Sequence, residues 1–121
     1  MNVSEVMTPA PRTIGADESV LEAARMLADG DFGSLPVHKD DRLIGMLTDR
    51  DIVVRVVAER CDPQSTPVEA VLSENPKYCF EDEDAEHVAR NMDALLVRRL
   101  PVVSRDKRLV GIVSIEDIRP R

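Results

Sequence analysis

Apolar residues recur along this chain in short runs whose spacing changes from one run to the next. Val20, Ala23, Ala24 and Leu27 fall at helical intervals. Ser19 and Glu22 form a Ser-x-x-Glu capping box that opens a helix at that point. The loop 30–33 ends it. Two contiguous apolar segments, 35–37 and 43–47, flank the polar turn 38–42, which predicts a β-hairpin. A second helix is read from Asp49 to about Arg60, with Ile52, Val53, Val56 and Val57 as an apolar stripe wide enough to pack on a sheet or a partner. Residues 12–14 precede the first helix as a short extended piece.

The same order is then written a second time. At an offset of 65, Val6, Pro11, Asp17, Glu18, Ala24, Arg25, Leu35, Pro36 and Val37 meet Val71, Pro76, Asp82, Glu83, Ala89, Arg90, Leu100, Pro101 and Val102. One extra residue enters the second copy inside the polar turn. At an offset of 66, Arg42, Leu43, Gly45, Asp51 and Ile52 then meet Arg108, Leu109, Gly111, Asp117 and Ile118. Asp84 is the expected cap of the second copy's first helix, and segments 100–103 and 109–113 are its hairpin. Between the copies, Thr66-Pro67-Val68-Glu69 reads as a capped short helix with proline at its first position, matching residues 3–7 at the start of the chain. The expected division is repeat one at 1–61, a linker at 62–67 and repeat two at 68–121. The fold class is α/β, each repeat running helix, strand, helix, strand, strand, helix. Neither repeat buries much surface alone, so the two are expected to pack about a pseudo-twofold axis.

Composition narrows the chemistry. No apolar run approaches the roughly 20 residues of a membrane span, and the first residues lack a signal-peptide layout, so a cytoplasmic protein without a membrane partner is expected. Cys61 and Cys79 form no C-x-x-C pair and have no histidine at metal-ligand spacing, which points to reduced structural thiols and no metal. The formal charge of −7, with the run Glu81-Asp82-Glu83-Asp84, disfavours long nucleic acid as a partner. His38 and His87 lack clustered ligands and read as surface or packing residues. No nucleophile–base pair, glycine-rich phosphate loop or paired catalytic carboxylates are present, so no enzyme is expected.

The segment Gly45-Met46-Leu47-Thr48-Asp49-Arg50-Asp51 recurs as Gly111-Ile112-Val113-Ser114-Ile115-Glu116-Asp117. In both, a strand runs into a hydroxyl residue at a helix start, with a carboxylate three residues on. Backbone amides at such a turn suit a phosphate, the hydroxyl adds a donor, and the carboxylate can accept the two hydroxyls of a ribose. Each copy is equally an ordinary capping box, and duplication alone does not separate the two readings.

Together with Ser34-Leu35-Pro36-Val37 and Arg99-Leu100-Pro101-Val102, these segments resemble the signature of the CBS-domain (cystathionine-β-synthase domain) family across residues 3–118. Stretches 45–53 and 97–118 are also similar to short bacterial CBS-pair proteins of the hypoxic-response type. The resemblance implies a regulatory module that binds an adenine nucleotide (AMP, ADP or ATP, with NAD or S-adenosylmethionine as further possibilities) in clefts between the repeats. It assigns phosphate and ribose contacts to Thr48 and Asp51 in one cleft and to Ser114 and Asp117 in the other. It places Thr13, Ile14 and Gly15 against the base in the Ser114/Asp117 cleft, and Tyr78, Cys79 and Phe80 against the base in the Thr48/Asp51 cleft. Arg98 and Arg99, where repeat one has Gly33 and Ser34, are then expected to meet phosphate and to favour the Ser114/Asp117 cleft. The resemblance further implies a homodimer formed through the helices and an unidentified regulated protein acting in trans. The rival reading is a ligand-free dimerisation or interaction module whose clefts are filled by its own side chains, such as Tyr78 or Phe80. One departure from the family pattern is expected at the end of the second repeat, where Pro120 stops the last helix.

Overall fold

The structure is a computed structural model; it describes residues 1–9, 11–30 and 33–119. The expected stop at Pro120 lies outside them. The chain forms two compact units: Arg12–Pro76 is one, and Met1–Pro11 with Lys77–Arg121 is the other. Sequence repeats and compact units are therefore offset. The leading segment of each repeat belongs to the unit that holds the body of the other.

In the 12–76 unit, strands β2 (Ile14–Gly15), β3 (Ser34–Lys39) and β4 (Arg42–Thr48) make a three-stranded sheet in that order, numbered after β1 (Thr8–Pro9) of the other unit. β2 lies parallel to β3, and β3 antiparallel to β4. The hairpin turns on Asp40 and Asp41, both at positive φ (53° and 65°), the backbone that a tight two-residue turn requires. Helix α1 (Val20–Asp29) starts where expected: Ser19 Oγ accepts the Glu22 amide at 3.2 Å. Val20 and Ala23 are buried with Ile14, Leu35, Val37, Leu47, Val56 and Val68, and Leu27 packs beside them.

The helix expected over 49–60 has a different form. A single α-turn, α2 (Asp49–Ile52), passes into a π-helical segment, Val53–Val57, and the Ala58 and Cys61 amides reach back five residues to the Val53 and Val56 carbonyls, both at 2.9 Å. The wider turn divides the valine stripe. Val56 is 1% exposed, whereas Val53 and Val57 are 58% and 66% exposed.

Residues 66–70 also depart from the expected capped helix. Thr66 donates its hydroxyl to the Asp62 carbonyl (2.7 Å), so it does not cap. The segment is a 3-10 turn, Val68–Ala70, with Pro67 at the N-cap. Its first amides are satisfied by a neighbouring loop: Val68 N–H donates to the Glu18 carbonyl (2.8 Å) and Glu69 N–H to the Ala16 carbonyl (2.9 Å).

The other unit is built alike. β1, β5 (Cys79–Phe80), β6 (Arg99–Val103) and β7 (Leu109–Ser114) form one sheet in the order β1-β7-β6-β5. Helix α3 (Ala85–Leu95), capped by Asp84 at the His87 amide (3.1 Å), buries Val88 and Met92 against Val3, Leu100, Val102 and Val113. The inserted residue sits in the β6–β7 loop, 105–107, closed by Ser104 N–H to the Arg108 carbonyl (2.9 Å) with Lys107 at positive φ. The last helix, α4 (Ile115–Ile118), is a single turn. Arg119, just after it, pairs with Glu86 and Asp93 of α3, both at 2.6 Å.

Candidate functional site

β4 and β7 each deliver a hydroxyl residue to the edge of a short helix. In the unit containing 77–121, Ser114 is the cross-strand partner of Arg99, and the Ile115 amide donates to the Arg98 carbonyl at 2.8 Å. Asp117 Oδ2 accepts the Ser114 amide at 2.8 Å, and this carboxylate is exposed to solvent. Arg98, Arg99, Ser114 and Asp117 therefore share one end of the sheet. The Arg98 guanidinium is engaged by Glu116 of the same turn. With only one turn in α4, the dipole expected at this end is small. Donors and acceptors here are the side chains and the first amides.

The 12–76 unit repeats the framework: Thr48 is the partner of Ser34, and the Asp49 amide donates to the Gly33 carbonyl at 3.1 Å. Its capping box is closed in both directions, Thr48 N–H to Asp51 Oδ2 and Asp51 N–H to Thr48 Oγ1, each 3.0 Å. The surroundings of the carboxylate differ from those of Asp117. Asp51 is only 7% exposed. Ser73 donates its hydroxyl to Oδ1 and Oδ2 (3.0 and 3.2 Å), and Arg55 Nη1 stands 3.6 Å from Oδ1. The same Nη1 reaches the Val71 and Leu72 carbonyls at 2.9 and 2.8 Å.

The residues expected near a base divide by burial. Thr13 Oγ1 and His38 Nδ1 are hydrogen-bonded at 3.0 Å, Ile14 is fully buried, and Gly15 borders a recess of about 400 Å³ with Asp17, His38 and Glu69. Thr13, Ile14 and Gly15 belong to the unit of Thr48 and Asp51. Tyr78, Cys79 and Phe80 belong to that of Ser114 and Asp117. Cys79 faces the core, and burial, with the Glu83 carboxylate, pushes its thiol up to about 12. Ile14 and Cys79 both turn their side chains into the cores of their units. Tyr78 and Phe80, either side of Cys79 in the chain, are half-buried and meet edge to face at 5.6 Å between ring centres. Their rings are covered by cations of the β6–β7 loop: Arg105 lies 4.2 Å from the Phe80 ring centre and Lys107 lies 5.9 Å from that of Tyr78. Arg105 is itself held by Asp82, whose carboxyl it keeps below the usual range.

Sequence reasoning missed Ser73, Arg55, Arg105 and Lys107. For Ser73 a signal existed, because it aligns with Thr8 at the offset of 65 and so conserves a hydroxyl between the copies.

The CBS-domain family pattern matches residues 3–58 and 68–120. The chain is a CBS-domain pair. Hypoxic response protein 1 of Mycobacterium tuberculosis is 36% identical over 115 residues, covering 94% of this CBS pair and 80% of the relative. Its crystal structure, solved with two coordinated zinc ions, superposes with a TM-score of 0.82 at 34% identity and covers 98% and 97% of the two chains. The CBS domain-containing protein YhcV of Bacillus subtilis is 36% identical over 122 residues, 97% of this chain and 82% of that one. The CBS-domain pair of protein MJ0100, solved with 5′-methylthioadenosine and S-adenosyl-L-methionine, matches with a TM-score of 0.73 at 29% identity, covering 98% and 93%. Among the described residues of this CBS pair, no group of three or more His, Cys, Asp or Glu stands close enough to hold a metal ion. No helix among them is long and apolar enough to cross a membrane.

Proposed function

We propose that this CBS pair is a non-catalytic sensor that binds an adenosine-containing ligand and passes the binding free energy to a partner through its conformation. The observation that carries the reading is the convergence of Ser114, Asp117, Arg98 and Arg99 at one sheet end. A ribose diol pairs naturally with an exposed carboxylate, and a phosphate with a hydroxyl and guanidinium groups. The relative solved with 5′-methylthioadenosine and S-adenosyl-L-methionine supports an adenosine moiety as the shared element. A ligand biases a conformation only by its difference in affinity between states, so the partner must read a surface that the ligand changes.

The second copy of the chain is proposed as the first partner. Exposed Val53 borders a groove of about 480 Å³ lined by Ala24, Leu27, Ala28 and Ile52 with Asp49 at its edge, and Val57, also exposed, follows Val53 in the same π-helical segment; this largely apolar face is suited to an isologous homodimer.

Titration calorimetry of the full chain with AMP, ADP, ATP, NAD and S-adenosylmethionine tests the ligand reading. Saturable binding of at least one of them, weakened more than about ten-fold in Asp117→Ala, is the expected result. A folded protein that binds none of them refutes it and favours a ligand-free interaction module.

A further inference from the structure

Building on that ligand reading, we infer that the two hydroxyl–carboxylate elements are not equivalent. Thr48–Asp51 is a structural latch closed by Ser73 and Arg55, and the chain takes a single adenosine ligand, at Ser114–Asp117. The contrast starts from one framework. Met46 bridges to Ser73 as Ile112 pairs with Thr8, so Ser73 and Thr8 occupy matching places beside β4 and β7. Ser73 uses its hydroxyl on both oxygens of Asp51. Thr8 is exposed, and among the described residues its hydroxyl makes no bond to Asp117.

A carboxylate offers about four acceptor positions. Asp51 commits these to the Thr48 amide, the Ser73 hydroxyl on both oxygens and the Arg55 guanidinium. A ribose diol at Asp51 would have to displace Ser73 and disturb Arg55, which also satisfies the Val71 and Leu72 carbonyls. Among the described residues, Asp117 commits one oxygen to the Ser114 amide, and it is exposed. The position matching Arg55 is Arg121, outside the described residues, so the contrast rests on Ser73 and on the burial of the two carboxylates. Ser73 and Arg55 are thus positioning residues. They hold segment 71–73 on the sheet and close its carboxylate to ligands.

The test compares the full-length wild type with Asp51→Asn, Ser73→Ala and Asp117→Asn by titration with AMP and S-adenosylmethionine and by thermal unfolding. The wild type is expected to bind one equivalent per chain. Asp51→Asn and Ser73→Ala are expected to lower Tm by about 5 °C while leaving the affinity within about two-fold. Asp117→Asn is expected to leave Tm within about 1 °C and to weaken binding more than about ten-fold. Two equivalents in the wild type, or lost binding in a folded Ser73→Ala or Asp51→Asn, overturns the assignment while the ligand reading stands. Should Asp51→Asn fail to fold, Ser73→Ala decides. If the wild type binds neither probe, the ligand reading fails for them and the single-site claim with it; the latch is still judged by whether Ser73→Ala lowers Tm.

Discussion

The Ser73 hydroxyl bridges both oxygens of the buried Asp51, at 3.0 and 3.2 Å, and so fastens the leading segment of the second repeat to the sheet of the 12–76 unit. Its alignment partner Thr8 lies beside β7, exposed, and among the described residues makes no hydrogen bond to Asp117. A duplicated sequence has in this way diverged into one closed and one open carboxylate.

The glycines in the middle of β4 and β7 admit those crossing segments. A Cβ on Gly45 would lie 2.6 Å from the Ser73 carbonyl oxygen and 2.8 Å from a Leu72 methyl carbon, and one on Gly111 would lie 2.5 Å from Met7 Sδ and 2.9 Å from the Thr8 carbonyl oxygen. Both glycine-to-alanine changes are expected to destabilise by about 1–3 kcal/mol in urea unfolding. Gly45→Ala is expected to cost more, because its tightest contact is backbone whereas Met7 can swing aside. Equal midpoints for wild type and Gly45→Ala would contradict this.

Cys79 makes stability sensitive to alkali. Its folded pKa is about 12 against an ordinary 9.0, raised first by burial and then by Glu83. Between those values the unfolded chain has lost the thiol proton and the folded chain keeps it, so the folded state binds more protons. The contribution is fully present below about pH 9 and falls as pH rises toward 12. Replacing Cys79 by alanine is expected to flatten the loss of Tm over the accessible part of that window. A thiol reagent at neutral pH is expected to modify the exposed Cys61 in the native protein and both cysteines only in denaturant. Rapid native modification of two thiols would refute the buried placement.

The exposed valines carry the proposed dimer. Val57→Glu and Val53→Glu place a charge on an apolar face without entering the core, since both side chains are more than half exposed. Sedimentation equilibrium is expected to show a dimer for the wild type and a folded monomer for Val57→Glu, with a Tm no higher than that of the wild type because the stabilisation from association is lost. A wild type that is monomeric across the micromolar range would remove the homodimer from the account.

How much of this was legible in the sequence follows from which interactions are local. The repeat, both hairpins, the Ser19 and Asp84 caps and the single-residue insertion in the second hairpin all depend on neighbours in sequence, and each was readable. Thr66 misled because its hydroxyl found the Asp62 carbonyl, while the amides it was expected to cap were taken by Glu18 and Ala16, some 50 residues away. The π-turn over Val53–Val57 was hidden for a similar reason: a valine stripe does not reveal whether the turn closes on the fourth or the fifth residue. At the candidate site the Thr48/Asp51 and Ser114/Asp117 boxes were visible, but the difference between them was not. It comes from Ser73, 22 residues from Asp51 in the chain, and from burial, neither of which periodicity reports.

The most direct test of the central claim is a map of backbone amide shifts in the isotope-labelled full chain during titration with AMP and, separately, S-adenosylmethionine. The account predicts saturable shifts at residues 98–99 and 114–117, with residues 48–51 and 73 nearly unmoved and the response lost in Asp117→Ala. Saturable shifts centred on residues 48–51, or no shift anywhere with either ligand, would contradict it.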